Sequence, residues 1–172
     1  MAISLYDATV PLYEQTLAAT QAVLEKGLSF CQEQGIDASE LIAESLHPDM
    51  LPLHFQLVSV AHHSLGALRG VQAGSFTTPP QLDLDYPGLQ SLVADARSGL
   101  AEFTPEVVNA FEGSDLEFRV GDASLPFIAE DFLFTFSKPN FYFHATTTYD
   151  ILRMKGVELG KRDFLGAMKL KG

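Results

Sequence analysis

Tryptophan is absent from this chain of 172 residues, cysteine occurs once, and basic residues number 11 against 22 acidic ones. A lone Cys31 cannot form an internal disulfide, and Met-Ala-Ile-Ser-Leu-Tyr-Asp at the amino terminus shows neither a basic leader nor an apolar signal core. The expected compartment is therefore the cytoplasm. The formal charge of −11 repels the nucleic-acid backbone and anionic membrane surfaces, so neither is an expected partner. Long uninterrupted apolar runs are missing, which argues against a membrane-spanning helix. Also missing are Gly-x-Ser-x-Gly, a Gly-Lys-Ser/Thr phosphate loop and Cys-x-x-Cys, and with them the serine-hydrolase elbow, the nucleotide cradle and dithiol redox chemistry.

What is present suits one globular domain, residues 1–172. An apolar fraction of 47% over this length is enough for a real core. Ile3, Tyr6, Val10, Tyr13, Leu17, Thr20, Leu24, Leu28 and Cys31 recur in steps of three and four, which predicts a long helix that begins near Thr9 with Pro11 in its first turn and ends at Gly35. Asp37 then caps a short connecting helix. A second long helix is expected to open in His47-Pro-Asp-Met-Leu-Pro, with Asp49 as its cap and Pro52 inside the first turn. Its seam runs Met50, Leu53, Leu57, Ala61, Leu65, Leu68, Val71, and Gly74 closes it. Ser75 to Pro87 reads as a loop long enough to cross the molecule.

A third helix follows from Pro87 through Phe103, with a short continuation capped at Thr104. Between Asp115 and Ile128 the period changes to two, around a Gly-Asp-Ala-Ser turn, which predicts a small β-hairpin. Asp131 to Phe136 reads as a short helix that bends at Pro139 into the last one. Phe164 and Leu165 are expected to tuck back onto the bundle. The fold class is therefore all-α: a four-helix bundle with a crossover between helices 2 and 3 and a small β-hairpin before the last helices. The phenylalanines, travelling with acidic charge, read as core filling.

The most informative stretch is Ser137 to Gly156. Pro139 favours a helix start and Gly156 an end. Phe141, His144, Thr148 and Ile151 share one face at spacings of three and four, so His144 points inward, where its ring needs hydrogen-bond partners or a metal. Asn140, one turn earlier, projects on nearly the same side. It has a second reading, as a first-turn residue that uses its side chain on backbone groups. Gln56 lies at the edge of the Leu53 and Leu57 stripe; on pattern alone it reads as a solvated side chain, able to lean into the bundle. His47, His54, His62 and His63 read as surface or boundary residues, and His62 and His63, being adjacent, face different ways.

Pro48-Asp49-Met50 with Pro52-Leu53 and Gln56, Pro139-Asn140-Phe141 with Phe143-His144, Tyr149 with Ile151-Leu152-Arg153, and Gly160-Lys161-Arg162-Asp163-Phe164-Leu165-Gly166 together resemble a bacterial domain-of-unknown-function branch of the DinB and YfiT-like superfamily. The resemblance spans essentially the whole chain. It implies a four-helix bundle of a kind often regarded as metal-dependent, holding its metal through three histidines: one near the start of the second helix and a His-x-x-x-His pair later. Here His144 takes the second place of that pair, Asn140 the first, and Gln56 falls nearest the second-helix ligand. Two amides thus stand where imidazoles are expected, and amide oxygens are poor ligands for zinc or nickel. His63, two turns after Gln56, is a further imidazole within reach if the geometry is skewed.

The resemblance accordingly implies one of two functions. The first is a bundle with a degenerate metal site that binds a small molecule or partner through Gln56, Asn140 and His144. The second is a metal-dependent transferase or hydrolase acting on a low-molecular-weight thiol, with zinc, nickel or iron on His144. Related bundles often pair through helix faces, which makes a homodimer an expectation.

Overall fold

The computed structural model describes residues 3–171. The chain is mostly helical and carries a small mixed sheet. Helix α1 spans Val10–Gln34, with Pro11 in its first turn, where a missing N–H costs nothing, and Gly35 in the left-handed conformation at its end. Its buried stripe includes Tyr13, Leu17, Leu24 and Cys31. Helix α2, Ala38–Ile42, starts at Asp37, whose carboxylate accepts from the Ser39 N–H.

The second long helix begins later than its sequence suggests. Pro52 is extended (φ −71°, ψ 172°) and stands at the N-cap of α3, Leu53–Ala61. Proline disfavours the helical conformation in the residue before it, so Asp49 cannot cap a helix running through Leu51 and Pro52. The entry is held instead by the Leu53 N–H, which donates to the Glu44 carbonyl at the exit of α2 at 2.8 Å. Beyond Ala61 the helix widens into a π turn, His62–Gly66, then continues as α4, Ala67–Ala73, and stops at Gly74.

The expected loop after Gly74 contains a strand. β1, Ser75–Thr77, pairs in parallel with β2, Asp115–Val120, and β2 pairs antiparallel with β3, Ala123–Ile128. The predicted hairpin is thus the larger part of a three-stranded sheet in the order β1-β2-β3. A two-stranded ribbon is marginal on its own, and the third strand ties it to the exit of α4. Phe76, Leu116 and Phe118 turn inward, where Phe76 packs on Phe132 and Phe118 on Phe136.

Helix α5, Tyr86–Gly99, starts one residue before Pro87, with the Asp85 carboxylate accepting from the Gly88 N–H. A single 3₁₀ turn, Leu100–Glu102, leads to α6, Pro105–Asn109, capped by Thr104. The last long helix differs from its expected form. It begins as α7, Ala129–Asp131, passes through a second π turn, Phe132–Ser137, and runs on as α8, Lys138–Met154. Pro139 neither starts nor bends it: the Lys138 N–H reaches back five residues to the Leu133 carbonyl, and the widened turn accommodates the proline ring. Helix α9, Lys161–Leu165, lies on α1, tied by Lys26 to Asp163 at 2.7 Å and by Gln15 to the Leu165 carbonyl.

Four packings organise the core: α1 with α5, α5 with α3, α3 with α8, and α8 with α1. Gln56 meets His144 and His63 meets Ser137, so the second and last helices run in opposite directions. His54 lies beside Leu84 and Leu65 beside Gly99, so α3–α4 and α5 run the same way. That parallel pair is why residues 75–85 must travel the length of the molecule rather than turn back. No helix of the described residues is long and apolar enough to cross a membrane.

Candidate functional site

Polar side chains inside this core concentrate on the seam between α3, its π turn, and α8. Gln56 is 2% exposed, which corrects the expectation of a solvated side chain. Position 56 follows Pro52 by one turn and lies on the face that α3 presents to α8. Its amide is oriented at both ends: Nε2 donates to the Leu51 carbonyl at 2.8 Å, so the oxygen is what faces His144. His144 Nδ1 donates to Gln56 Oε1 at 2.7 Å. The proton is therefore on Nδ1, and Nε2 carries a free lone pair with no protein partner among the described residues.

His63 is 4% exposed, so it is a core residue rather than the boundary residue its position suggests. Its ring lies nearly parallel to that of His144, with centroids 5.9 Å apart and planes 14° apart. Ser137 Oγ donates to the His63 main-chain carbonyl at 3.0 Å, leaving its lone pairs to accept from His63 Nδ1 at 3.4 Å. Both π turns make this possible. Each contributes an inward residue, His63 from one and Ser137 from the other, where a plain helix would have carried the side chain round to a different face.

Burial holds both rings neutral. It depresses the pKa of His144 to about 4 and that of His63 to about 3, the neighbouring His62 and His144 adding to the effect at His63. Tyr13, fully buried beside Phe141, has its phenol pushed well up by desolvation; nearby Ser137 opposes the shift without reaching hydrogen-bond distance. Two more hydroxyls in this half of the core, Ser59 and Thr148, are buried with no protein partner.

Asn140 does not join the cluster. Its Nδ2 donates to the Phe136 carbonyl at 2.8 Å, four residues back in the same helix, so it serves the backbone next to the π turn. Glu44 and His47 have the Glu-x-x-His spacing of helical di-iron ligands, yet they lie in the connection after α2, where Glu44 pairs with Lys155 and His47 with Asp49. No group of three or more His, Cys, Asp or Glu side chains among the described residues could hold a metal ion. With the Gln56 oxygen bonded to His144 and Asn140 turned to the main chain, the residues present do not fit a three-ligand metal centre.

The mouth of the site is apolar. His144 retains 9% exposure, and around it Phe143 is 55% and Leu51 53% exposed. Phe55 and Phe143 meet the His144 ring edge-on, at 5.9 and 5.3 Å between centroids. Sequence reasoning passed over His63 and Ser137. The one signal was Pro139, an odd residue for a helix that proves continuous.

Residues 5–165 match the model of a domain of unknown function, DUF1993. No curated protein matches the chain. Among solved structures it is similar to the crystal structure of a DinB family member protein from Shewanella denitrificans, with a TM-score of 0.80 and 28% identity over 98% of this chain and 95% of that one. Whole-length similarity of backbone and sequence leads to one conclusion: the chain belongs to the DUF1993 family, a DinB-like branch whose function is unknown.

Proposed function

We propose that this protein is a four-helix bundle of the DinB type, built as one domain, that binds a small uncharged molecule at the edge of His144 rather than running a metal-dependent reaction. The bundle reading rests on the closed ring of packings among α1, α5, α3 and α8. The observation that carries the functional reading is the 2.7 Å bond from His144 Nδ1 to Gln56 Oε1. It fixes the tautomer, occupies the one amide oxygen near the ring and directs an uncharged acceptor nitrogen toward a mouth of phenylalanine and leucine. A ligand suited to that mouth has an apolar body and one O–H or N–H donor. A cation gains little from a ring held neutral, and an anion meets a protein of formal charge −11.

The charge supports a role away from nucleic acid and anionic membranes, and the single cysteine suits the cytoplasm. A homodimer through a helix face belongs to the same reading and is tested by light scattering on the purified chain.

Elemental analysis of protein purified without a histidine tag tests the central claim, together with a titration by phenol followed on ¹⁵N-labelled histidine. The expected result is metal-free protein whose His144 Nε2 resonance moves with phenol, an effect lost in Gln56→Leu. Stoichiometric zinc, nickel or iron that disappears in His144→Ala would overturn the reading in favour of a metal-dependent transferase or hydrolase acting on a small thiol. A His144 resonance unmoved at millimolar phenol would overturn it as well.

A further inference from the structure

The largest concavity with an apolar lining lies on the other side of α3 from His144. A cleft of about 620 Å³ opens between α3 with its π turn and α5, under the crossing segment that carries Pro80 and Leu82. Val58, Ala61, Leu65 and Leu92 give it an apolar floor. Volume and lining are those of a small-molecule site. Its charged groups are few and unequal. Arg69 is neutralised by a two-pronged pair with Glu102, at 2.9 and 3.1 Å. Asp95, on α5, has no hydrogen-bond or ion-pair partner among the described residues, so its negative charge is available to the cleft.

Two further features favour a positive guest. The cleft includes Ser98 and Gly99, the C-terminal turn of α5, where the helix dipole is negative. His62, on the wall, donates from Nε2 to the Thr77 carbonyl at 2.8 Å, so its Nδ1 is an acceptor. A Cβ at Gly66, itself on the wall, would stand 3.3 Å from that Nδ1; the missing side chain leaves the nitrogen open to the cleft. Burial holds the His62 pKa below the ordinary histidine value, so the ring adds no opposing charge.

We propose that this cleft is a second, separate binding site, for a small organic cation: an ammonium group that bonds to Asp95 and His62, with an apolar body laid on Ala61, Leu65 and Leu92. It does not depend on the His144 reading, since its walls face away from Gln56 and His144.

Protonated 2-phenylethylamine is the probe, with 2-phenylethanol and phenylacetate as its neutral and anionic counterparts, each titrated into the full chain while the methyl resonances of Ala61, Leu65, Leu82 and Leu92 and the ring resonances of His144 are followed. The amine should shift the four methyl groups, and its neutral and anionic counterparts should bind less well. Asp95→Asn, an exposed and unpartnered position, should lower affinity for the amine about three- to fivefold, as expected for a solvent-accessible ion pair, and abolish the preference over the alcohol. Gly66→Ala should weaken the amine more than the alcohol. Methyl groups that stay unmoved at millimolar amine, an equal response to phenylacetate, or Asp95→Asn with wild-type affinity and preference would overturn the proposal. So would an amine that shifts only His144, which would place the guest at the other site.

Discussion

The two flanks of this molecule use their helices differently. Where α1 packs on α5, the contact is made of apolar side chains and one close approach: Gly27 lies so near Tyr86 that an added Cβ would stand 2.4 Å from its hydroxyl, which donates to the Leu24 carbonyl at 2.8 Å. Both helices there are regular, and α1 runs 25 residues with its seam in step. Where α3 packs on α8, both helices carry a π turn, and Gln56, His63, Ser137 and His144 interrupt the apolar seam. The first flank holds the fold together, while the second accepts irregular backbone and orphaned hydroxyls in order to place polar atoms. π turns recur at functional sites for this reason.

That contrast can be broken hardest on the apolar side. Leu17→Ala, at a fully buried position of α1, should cost about 3 kcal/mol of stability in urea unfolding without moving the His144 resonances. Gly27→Ala should cost about 1 to 3 kcal/mol, because the Tyr86 ring must shift and its bond to Leu24 is strained. A smaller loss with an unchanged Tyr86 environment by NMR would mean that the two helices have more room than this packing allows.

On the polar side, Gln56→Ala should cost about 1 to 3 kcal/mol, since it strands both His144 Nδ1–H and the Leu51 carbonyl in the core. Unlike Leu17→Ala, it should also change the His144 tautomer balance, which ¹⁵N chemical shifts report. The pH dependence sharpens the same point. His144 and His63 have folded pKa values of about 4 and about 3, against an ordinary value of about 6.5, so the unfolded chain binds more protons between these limits. Stability from the neutral rings is complete above about pH 6.5 and falls as the pH drops toward the folded values. After allowance for solvent screening the loss is about 1 kcal/mol per ring between pH 7 and 5. His144→Asn should flatten the corresponding part of the profile. The smallest effect has the opposite sign: Thr148→Val, which removes a buried hydroxyl with no protein partner, should raise stability by up to about 1 kcal/mol by thermal unfolding.

The difference between the flanks also decides what could be read from residues alone. Steps of three and four along α1, Pro11 at its start, Gly35 at its end and the Asp37 cap are local signals, and the structure follows them. So is the alternation of Leu116, Phe118 and Val120 that marks β2. The parallel partner of β2 is three residues long and some forty positions away, so Ser-Phe-Thr at 75–77 looked like loop. Pro52 was placed one turn too deep because the restriction it puts on Leu51 was given too little weight. Neither π turn has a local signature strong enough to override the ordinary helical period. Asn140 was expected beside His144 because spacing alone cannot show that a side chain will bond to its own backbone four residues back. The meeting of Gln56 with His144, and of His63 with Ser137, joins segments 88 and 74 residues apart, which only the packed helices reveal.

The facing π turns also constrain how this chain can change in length. Removing a single residue from His62–Gly66 would restore an ordinary turn and rotate all that follows by about 100°, carrying Leu68 and Val71 off the core and pulling β1 out of register with β2. A deletion in Phe132–Ser137 would turn the residues of α8 away from α3 by the same angle. Along these two helices the protein is intolerant of single-codon indels, although the surface loops between them should absorb insertions freely.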